Sequence, residues 1–255
     1  MSDEPVLVEI KDGIMVVTLN RPQAKNAANR ALAEGVAAAM DELDSNDDLR
    51  VAILTGAGGT FCSGMDLKAF VSGEVPHIEG RGFGGLTERP PRKPLIAAIE
   101  GYALAGGLEL AISCDLIVAA DNAKFGIPEV KRGLAAAAGG LVKLPRQIPP
   151  RLAMEMALTG DFIDAGQAQA MGLINRVVPQ GTALEEALKL AAAIAANGPL
   201  AVATSKQVIL ESADWSREEM WQKQQELVNA VFVSEDAIEG ATAFAQKRAP
   251  NWKGR

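Results

Sequence analysis

Two short runs rich in β-branched residues, 6–10 (VLVEI) and 14–19 (IMVVTL), flank Asp12 and Gly13. That dipeptide tolerates the left-handed backbone of a tight turn, so the pattern predicts a hairpin. Between 29 and 43 the period changes. Leu32, Val36, Ala39, Met40 and Leu43 recur at helical spacing, and the polar DSNDD closes the segment. Three short apolar runs follow at 51–54, 95–99 and 116–120, each ending in a glycine or a polar turn, as buried strands do. Residues 71–93 (VSGEVPHIEGRGFGGLTERPPRK) have no period and are dense in Gly, Pro and charge, which predicts a surface loop or lid and the least ordered part of the chain. From about 139 the pattern is helical, broken by one strand-like run at 174–178. Thr182 with Glu185, and Ser216 with Glu219, have capping-box spacing, and Asn197, Gly198 and Pro199 form a helix stop. A last helix over 234–248 is amphipathic through Ala237, Ile238, Ala241, Phe244 and Ala245, a stripe that must be buried somewhere. The pattern predicts a mixed α/β core over 1–190 and a helical part over 191–255, packed on that core or on a neighbour.

The chain has 255 residues, 48% of them hydrophobic, and a formal net charge of −7. That balance argues against a partner that is nucleic acid or an anionic membrane, since both require a basic face. An anionic ligand must be met by local cations. One histidine, His77, and two cysteines, Cys62 and Cys114, are too few for a zinc cluster. Any Ser/His/Asp or Cys/His catalyst would have to use His77, which lies in the aperiodic segment. The cysteines are expected to be small core residues in a reducing compartment, and Trp215 with Trp221 to be packing or interface residues. The acidic start, MSDEPVLVEI, lacks a basic n-region and an apolar h-region, and Glu100, Glu109 and Asp115 interrupt the most apolar stretch. The expectation is a soluble, cytoplasmic protein.

Three segments carry candidate chemistry. In LTGAGGTFCSGMDLKAF (54–70) a strand leads through glycines to a helix near Asp66, so the amides around Gly64 to Leu67 converge at a helix start, a place for an anion or oxyanion. Phe61 occupies the third glycine position of a dinucleotide fingerprint, the phosphate-loop Lys is missing, and Phe61 also spoils a nucleophile elbow at Ser63. In EGYALAGGLELA (100–111) Gly106 permits close approach to its amide, and Glu109 follows one turn later among Leu108, Leu110, Ala111 and Ile112. In FGIPEVKRGLAAAAGG (125–140) Glu129 follows a proline. Burial raises a carboxyl pKa toward the range useful for proton transfer, and two such acids can hold a water between them. The alternatives are carboxylates in salt bridges, for instance with Lys131 or Arg132, and glycines that serve only as turns.

NRPQAKNAAN, TGAGGTFCSGMDL, GYALAGGLELAISCD, KFGIPEVKRG, MGLINRVVP and FAQKRAP, in that order over essentially the whole chain, resemble the enoyl-CoA hydratase (crotonase) family. The resemblance implies an α/β fold, a spiral of ββα units with a helical C-terminal trimerisation region, assembled as a homotrimer or a dimer of trimers. It implies an acyl-CoA thioester substrate whose carbonyl oxygen is bound by the amides of Met65 and Gly106. Gly64, Asp66, Leu67 and Lys68 match positions around the CoA, and Phe244 and Lys247 match positions that reach a neighbouring subunit's CoA. Lys25 and Arg30 are further cations near that region. Glu109 and Glu129 match the two glutamates that flank the attacking water in the family's hydratases. Other members often lack one of the pair, so both together favour hydration of a trans-2-enoyl-CoA. The reaction needs no metal and no cofactor beyond the CoA of its substrate. One departure concerns substrate choice: Ala135, Ala136 and Ala137 stand where many hydratases have Ile-Pro-Gly before the retained Ala138, Gly139 and Gly140. The rival readings are an enoyl-CoA isomerase or carnitine-type dehydratase of the same fold, and a non-catalytic acyl-CoA-binding protein.

Overall fold

The structure, a computed structural model, describes residues 4–255, so the first three residues of the acidic start lie outside it. Strands β1 (Val6–Lys11) and β2 (Ile14–Leu19) form the hairpin, with Asp12 at φ 51° and Gly13 at φ 75° in its turn. Helix α1 (Arg30–Ser45) starts where the Asn29 side chain accepts the Leu32 amide, and buries Leu32, Val36, Ala39, Met40 and Leu43. Strand β3 (Val51–Gly56) pairs parallel with β2 and leads to the short helix α2 (Leu67–Val71). A small hairpin, β4 (His77–Ile78) and β5 (Gly82–Phe83), precedes β6 (Leu95–Ile99), β7 (Tyr102–Leu104) and helix α3 (Gly106–Ala111). Strands β8 (Leu116–Ala120) and β9 (Lys124–Gly126) then lead through a 3-10 turn (Pro128–Arg132) to α4 (Gly140–Gln147) and α5 (Pro150–Thr159). Strand β10 (Ile163–Asp164), helix α6 (Ala165–Ala170) and strand β11 (Arg176–Val178) complete the sheets. Helices α7 (Ala183–Ala195), α8 (Pro199–Ser212), α9 (Met220–Phe232) and α10 (Glu235–Gln246) follow.

The main sheet runs β1-β2-β3-β6-β8-β11, parallel beyond the first hairpin, and a smaller sheet runs β10-β9-β7. Each of β6 and β8 turns directly into a strand of the smaller sheet, which makes the repeating unit strand, strand, helix. Both faces of the main sheet are covered, so its strands are apolar without alternation. Val51, Ile53, Ile96, Ala98 and Val118 meet Ala187 and Ala191 of α7, while Ala52, Leu54, Ala97 and Ala119 face the larger core with α1. Residue 190 therefore lies inside a helix that covers the sheet. Helix α8 is docked by the Lys206 ammonium, which donates to the carbonyls of Pro91 (2.7 Å) and Lys93 (3.0 Å) and to Asp115 Oδ2 (2.6 Å). No single helix among the described residues is long and apolar enough to cross a membrane.

Four expectations need correction. The aperiodic segment is a surface loop only in its first part. Between Arg81 and Thr87 it is folded in, with Arg81, Leu86 and Thr87 buried. Its glycines permit this: a Cβ on Gly85 would lie 2.2 Å from the Ala33 carbonyl oxygen, and one on Gly84 2.8 Å from the Leu110 side chain. Thr182 does not cap α7; its hydroxyl donates to the Pro179 carbonyl, and Glu100, at the end of β6, accepts the amides of Gly181 and Ala183 instead. Ser216 and Glu219 meet as half a box, whereas Asp164 and Gln167 form a full one. The strand predicted at 174–178 is confined to Arg176–Val178, because the Asn175 side chain takes the Ile117 amide before pairing begins. Within this chain the apolar stripe of α10 faces outward, with Ile238 68% and Phe244 88% exposed, so the core is not what buries it. The opposite side of the helix, through Asp236, Gly240 and Ala243, packs inward, where Trp252 lies on Gly240 and Asp236 accepts the amides of Lys253 and Gly254.

Candidate active site

After β3 the chain passes alongside β7: Cys62 donates to Tyr102 O and accepts from Leu104 N. On its other side Ala28 donates to Gly64 O and receives the Asp66 amide. Met65 lies between these two bonds, so its own N–H is left out of the ladder, and Gly64 takes φ 103° to make the bend. At the head of α3, Ala105 adopts φ 53° and ψ −129°, held by its amide to Gly126 O (2.8 Å). A non-glycine residue there stores strain of about 1–3 kcal/mol and turns the chain sharply into the helix. Among the described residues neither Met65 N–H nor Gly106 N–H has an acceptor within the chain. The two turns touch: a Cβ on Gly64 would lie 2.8 Å from Ala105 Cβ and 3.4 Å from Gly106 N, and one on Gly107 would lie 2.1 Å from Cys62 O. Glycine at these positions is what allows the two free amides to be neighbours.

Glu109 sits one turn into α3 and is 3% exposed. Its Oε1 accepts two amides, from Ala138 and Gly140, both at 2.8 Å. Burial pushes this carboxyl up, and the Gly140 and Ala138 amides and the Lys143 charge pull against that. Glu129 follows Pro128 in the 3-10 turn. Its Oε2 is buried without a hydrogen-bond partner. Burial raises its carboxyl to about 7; the neighbouring Glu109 charge adds to the rise, while its own backbone amide and Arg132 oppose it. The salt-bridge alternative does not hold, because Lys131 pairs with Asp161 at 2.6 Å and neither acid makes an ion pair among the described residues. The site therefore sets a carboxyl clamped by two amides near one whose buried Oε2 has no partner and whose pKa is raised to about 7.

Around this centre the other predicted residues divide. Asp66 caps α2, accepting the Lys68 and Ala69 amides, and pairs with Arg21 at 2.9 Å. Desolvation opposes ionisation, but the Arg21 hydrogen bond and these amides hold its carboxyl below the usual range. Leu67 and Lys68 open α2 with exposed side chains, next to Met65 in the chain. Lys25 lies over the Tyr102 ring, 5.4 Å from its centroid. Arg30 is drawn into the lid, its amide on Glu74 and its guanidinium on the His77 carbonyl. His77 is half-exposed near Glu88. Cys62 and Cys114 are buried free thiols; burial drives Cys62 up to about 12 and Cys114 higher still. Phe244 and Lys247 lie on the outer helix α10 and are not brought to the two acids within this chain. Sequence reasoning missed three participants: Ala105, Lys143 and Phe83. The Phe83 ring covers Gly106 so closely that a Cβ there would lie 2.4 Å from Cζ. The only signal was the GFGG string around it.

Residues 9–255 match the family profile described as enoyl-CoA hydratase/isomerase. A crystal structure of an enoyl-CoA hydratase from Mycobacterium tuberculosis superposes with a TM-score of 0.98 at 57% identity, covering 99% of this chain and 100% of that one. A curated relative named enoyl-CoA hydratase, also from Mycobacterium tuberculosis, is 45% identical over 100% of this chain and 98% of its own length. A crystal structure of carnitinyl-CoA hydratase from Mycobacterium avium, 42% identical, gives a TM-score of 0.79 over the whole of both chains. Fold, order of motifs and full-length likeness agree, and the chain belongs to the enoyl-CoA hydratase/isomerase family.

Proposed function

We propose that the chain hydrates trans-2-enoyl-CoA thioesters, adding water across the C2–C3 double bond. The observation that carries this reading is the buried, unpartnered Oε2 of Glu129 within the field of the amide-clamped Glu109. A carboxyl kept only for structure would be paired or solvated. The thioester oxygen is held by the amides of Met65 and Gly106, where loss of one such donor costs about 3 kcal/mol of transition-state stabilisation. Water gives a proton to Glu109 as its oxygen bonds to C3, and the π pair moves toward the thioester carbonyl as an enolate on the two amides. The enolate collapses by taking the proton of Glu129 at C2. A proton returned through solvent from Glu109 to Glu129 restores the pair. No metal or redox cofactor takes part, and CoA arrives with the substrate.

In this reading Lys68, exposed in the first turn of α2, supplies the cation for the CoA phosphates on a chain of net charge −7, with Gly64, Asp66 and Leu67 shaping the entry. The outward faces of α9 and α10, with Trp221, Phe232, Ile238 and Phe244 exposed, support assembly as a homotrimer or a dimer of trimers, in which Phe244 and Lys247 reach a neighbour's CoA. A cytoplasmic location fits this reading. The small side chains of Ala135 to Ala137, beside the Ala138 and Gly140 clamp, support a second reading on the same atoms: a dehydratase for a specialised acyl-CoA, since dehydration is hydration reversed.

The test follows loss of the conjugated enoyl-thioester absorbance over a panel of acyl-CoAs. Glu109→Gln and Glu129→Gln should each lower turnover by about 10²–10⁴. Wild-type turnover in either variant would refute the assignment. Binding without conversion would favour a non-catalytic acyl-CoA-binding protein, and conversion of a 3-enoyl into a conjugated thioester would favour an isomerase.

A further inference from the structure

Lys143 lies on α4, one turn beyond Gly140, whose amide clamps Glu109. Its ammonium is half-buried and makes no ion pair among the described residues. It donates to the Thr87 carbonyl and, at 2.8 Å, to Ser113 Oγ, and the Ser113 hydroxyl donates to the Glu109 carbonyl at 2.7 Å. Glu109 likewise has amide partners and no cation in contact. The Ser113 hydroxyl thus ties the ammonium to the main chain of Glu109, while the Glu109 carboxyl, bound by amides alone, feels the field of that half-buried cation. The same lysine joins the lid, the end of α3 and the start of α4. We propose that Lys143 is a positioning residue which, through Ser113 and α4, holds Glu109 in place and selects it, rather than Glu129, as the member of the pair that carries the negative charge.

The charged and titratable groups around the pair agree with this division of roles. Burial of Glu109 is opposed by the Gly140 and Ala138 amides and by Lys143 on α4, whereas burial of Glu129 is reinforced by the Glu109 charge and opposed by its own amide and Arg132. Burial holds the Lys143 ammonium below the usual lysine range, against Cys114, Glu109 and Glu88, which favour its charge. Two adjacent acids do not both ionise readily, so a cation placed on one side of the pair decides which acid keeps the proton. The inference rests on the proposed hydration, in which the base must be ionised and the acid protonated at the same time.

Two measurements test it. In the full chain, kcat/KM for a short trans-2-enoyl-CoA is followed against pH for wild type, Lys143→Gln, Lys143→Arg and Ser113→Ala. Lys143→Gln should move the acidic limb upward by about one pH unit, the lower end of what loss of a neighbouring opposite charge does. At a pH on that limb this is about a tenfold loss. Lys143→Arg should restore the limb. Ser113→Ala should lower kcat with the limb unmoved, since the charge remains. A Lys143→Gln profile parallel to wild type at every pH would show a merely structural lysine and overturn the proposal. The second measurement needs no Lys143 variant: the infrared difference between wild type and Glu109→Gln at pH 6. A carboxylate band assigned to Glu109 supports the charge selection, and a protonated carboxyl band overturns it. Failure of the chain to hydrate any enoyl-CoA would sink the proposed function and leave this spectrum interpretable, so the two failures are separable.

Discussion

Gly107→Ala adds one methyl group at the contact between the two turns. A Cβ there would lie 2.1 Å from Cys62 O and 2.7 Å from Cys62 C. Those atoms cannot swing aside as a side chain would, because Cys62 is bonded to β7 through both its N–H and its C=O. Restoring an ordinary contact of 3.4 Å or more obliges α3 and the segment before Met65 to part by more than 1 Å. The backbone at 107 is helical, where alanine is favoured over glycine by about 1 kcal/mol, so any loss is steric. Overpacking of this kind costs about 1–3 kcal/mol of stability, which leaves the protein folded. A displacement near 1 Å at a reacting centre costs about 10²-fold. We expect kcat for enoyl-CoA hydration to fall about 100-fold, with the near-ultraviolet circular dichroism unchanged and a saturated acyl-CoA still bound in calorimetry. A folded variant whose kcat stays within about threefold of wild type would refute the argument that the spacing of the two amides sets the rate.

Two further outcomes follow from buried charge. Glu129 is raised from 4.5 to about 7 on folding, so the folded chain binds more protons than the unfolded chain between those values; its contribution to stability is complete below 4.5 and is lost as pH rises through 7. Glu129→Gln should therefore raise the melting temperature at pH 8 and leave it unchanged at pH 4, and an equal change at both would contradict the burial argument. Lys206 and Asp115 form an ion pair with side chains only 9% and 19% exposed. Lys206→Met should cost roughly 3–5 kcal/mol in denaturant titration, because it strands Asp115, and adding Asp115→Asn should recover part of that loss; additive effects in the double variant would count against the pairing.

What was legible in the chain depended on how locally each feature is encoded. The first hairpin is specified by two residues, Asp12 and Gly13, and α1 by its own period. The glycines that seat Met65 against Gly106 were visible as a pair of dense turns, and both acids stood out as charges in apolar surroundings. Ala105 was not visible, since nothing in an alanine signals a positive φ. Lys143 was one lysine among many until α4 folded over Ser113. The inner half of the lid has no period because single glycines there fit against α1 and α3, not because it is loose. Glu100 shows the same limit, as it caps a helix whose first residue is Ala183. The outward stripe of α10 was recognised as apolar, but its direction was fixed by Trp252 and Asp236 at the other side of the helix.

The register of the outermost strand has a consequence for synthesis. Val118 is paired by Arg176, and the apolar face that includes Val51, Ile53 and Ile96 is closed when Ala187 and Ala191 of α7 reach it. A nascent polypeptide interrupted anywhere between those points carries an open parallel edge and a greasy, uncovered slab, the combination that recruits other chains. Ribosomal stalling in that interval should yield aggregates rather than a smaller working unit, which makes chaperone engagement a requirement of timing and not of final stability.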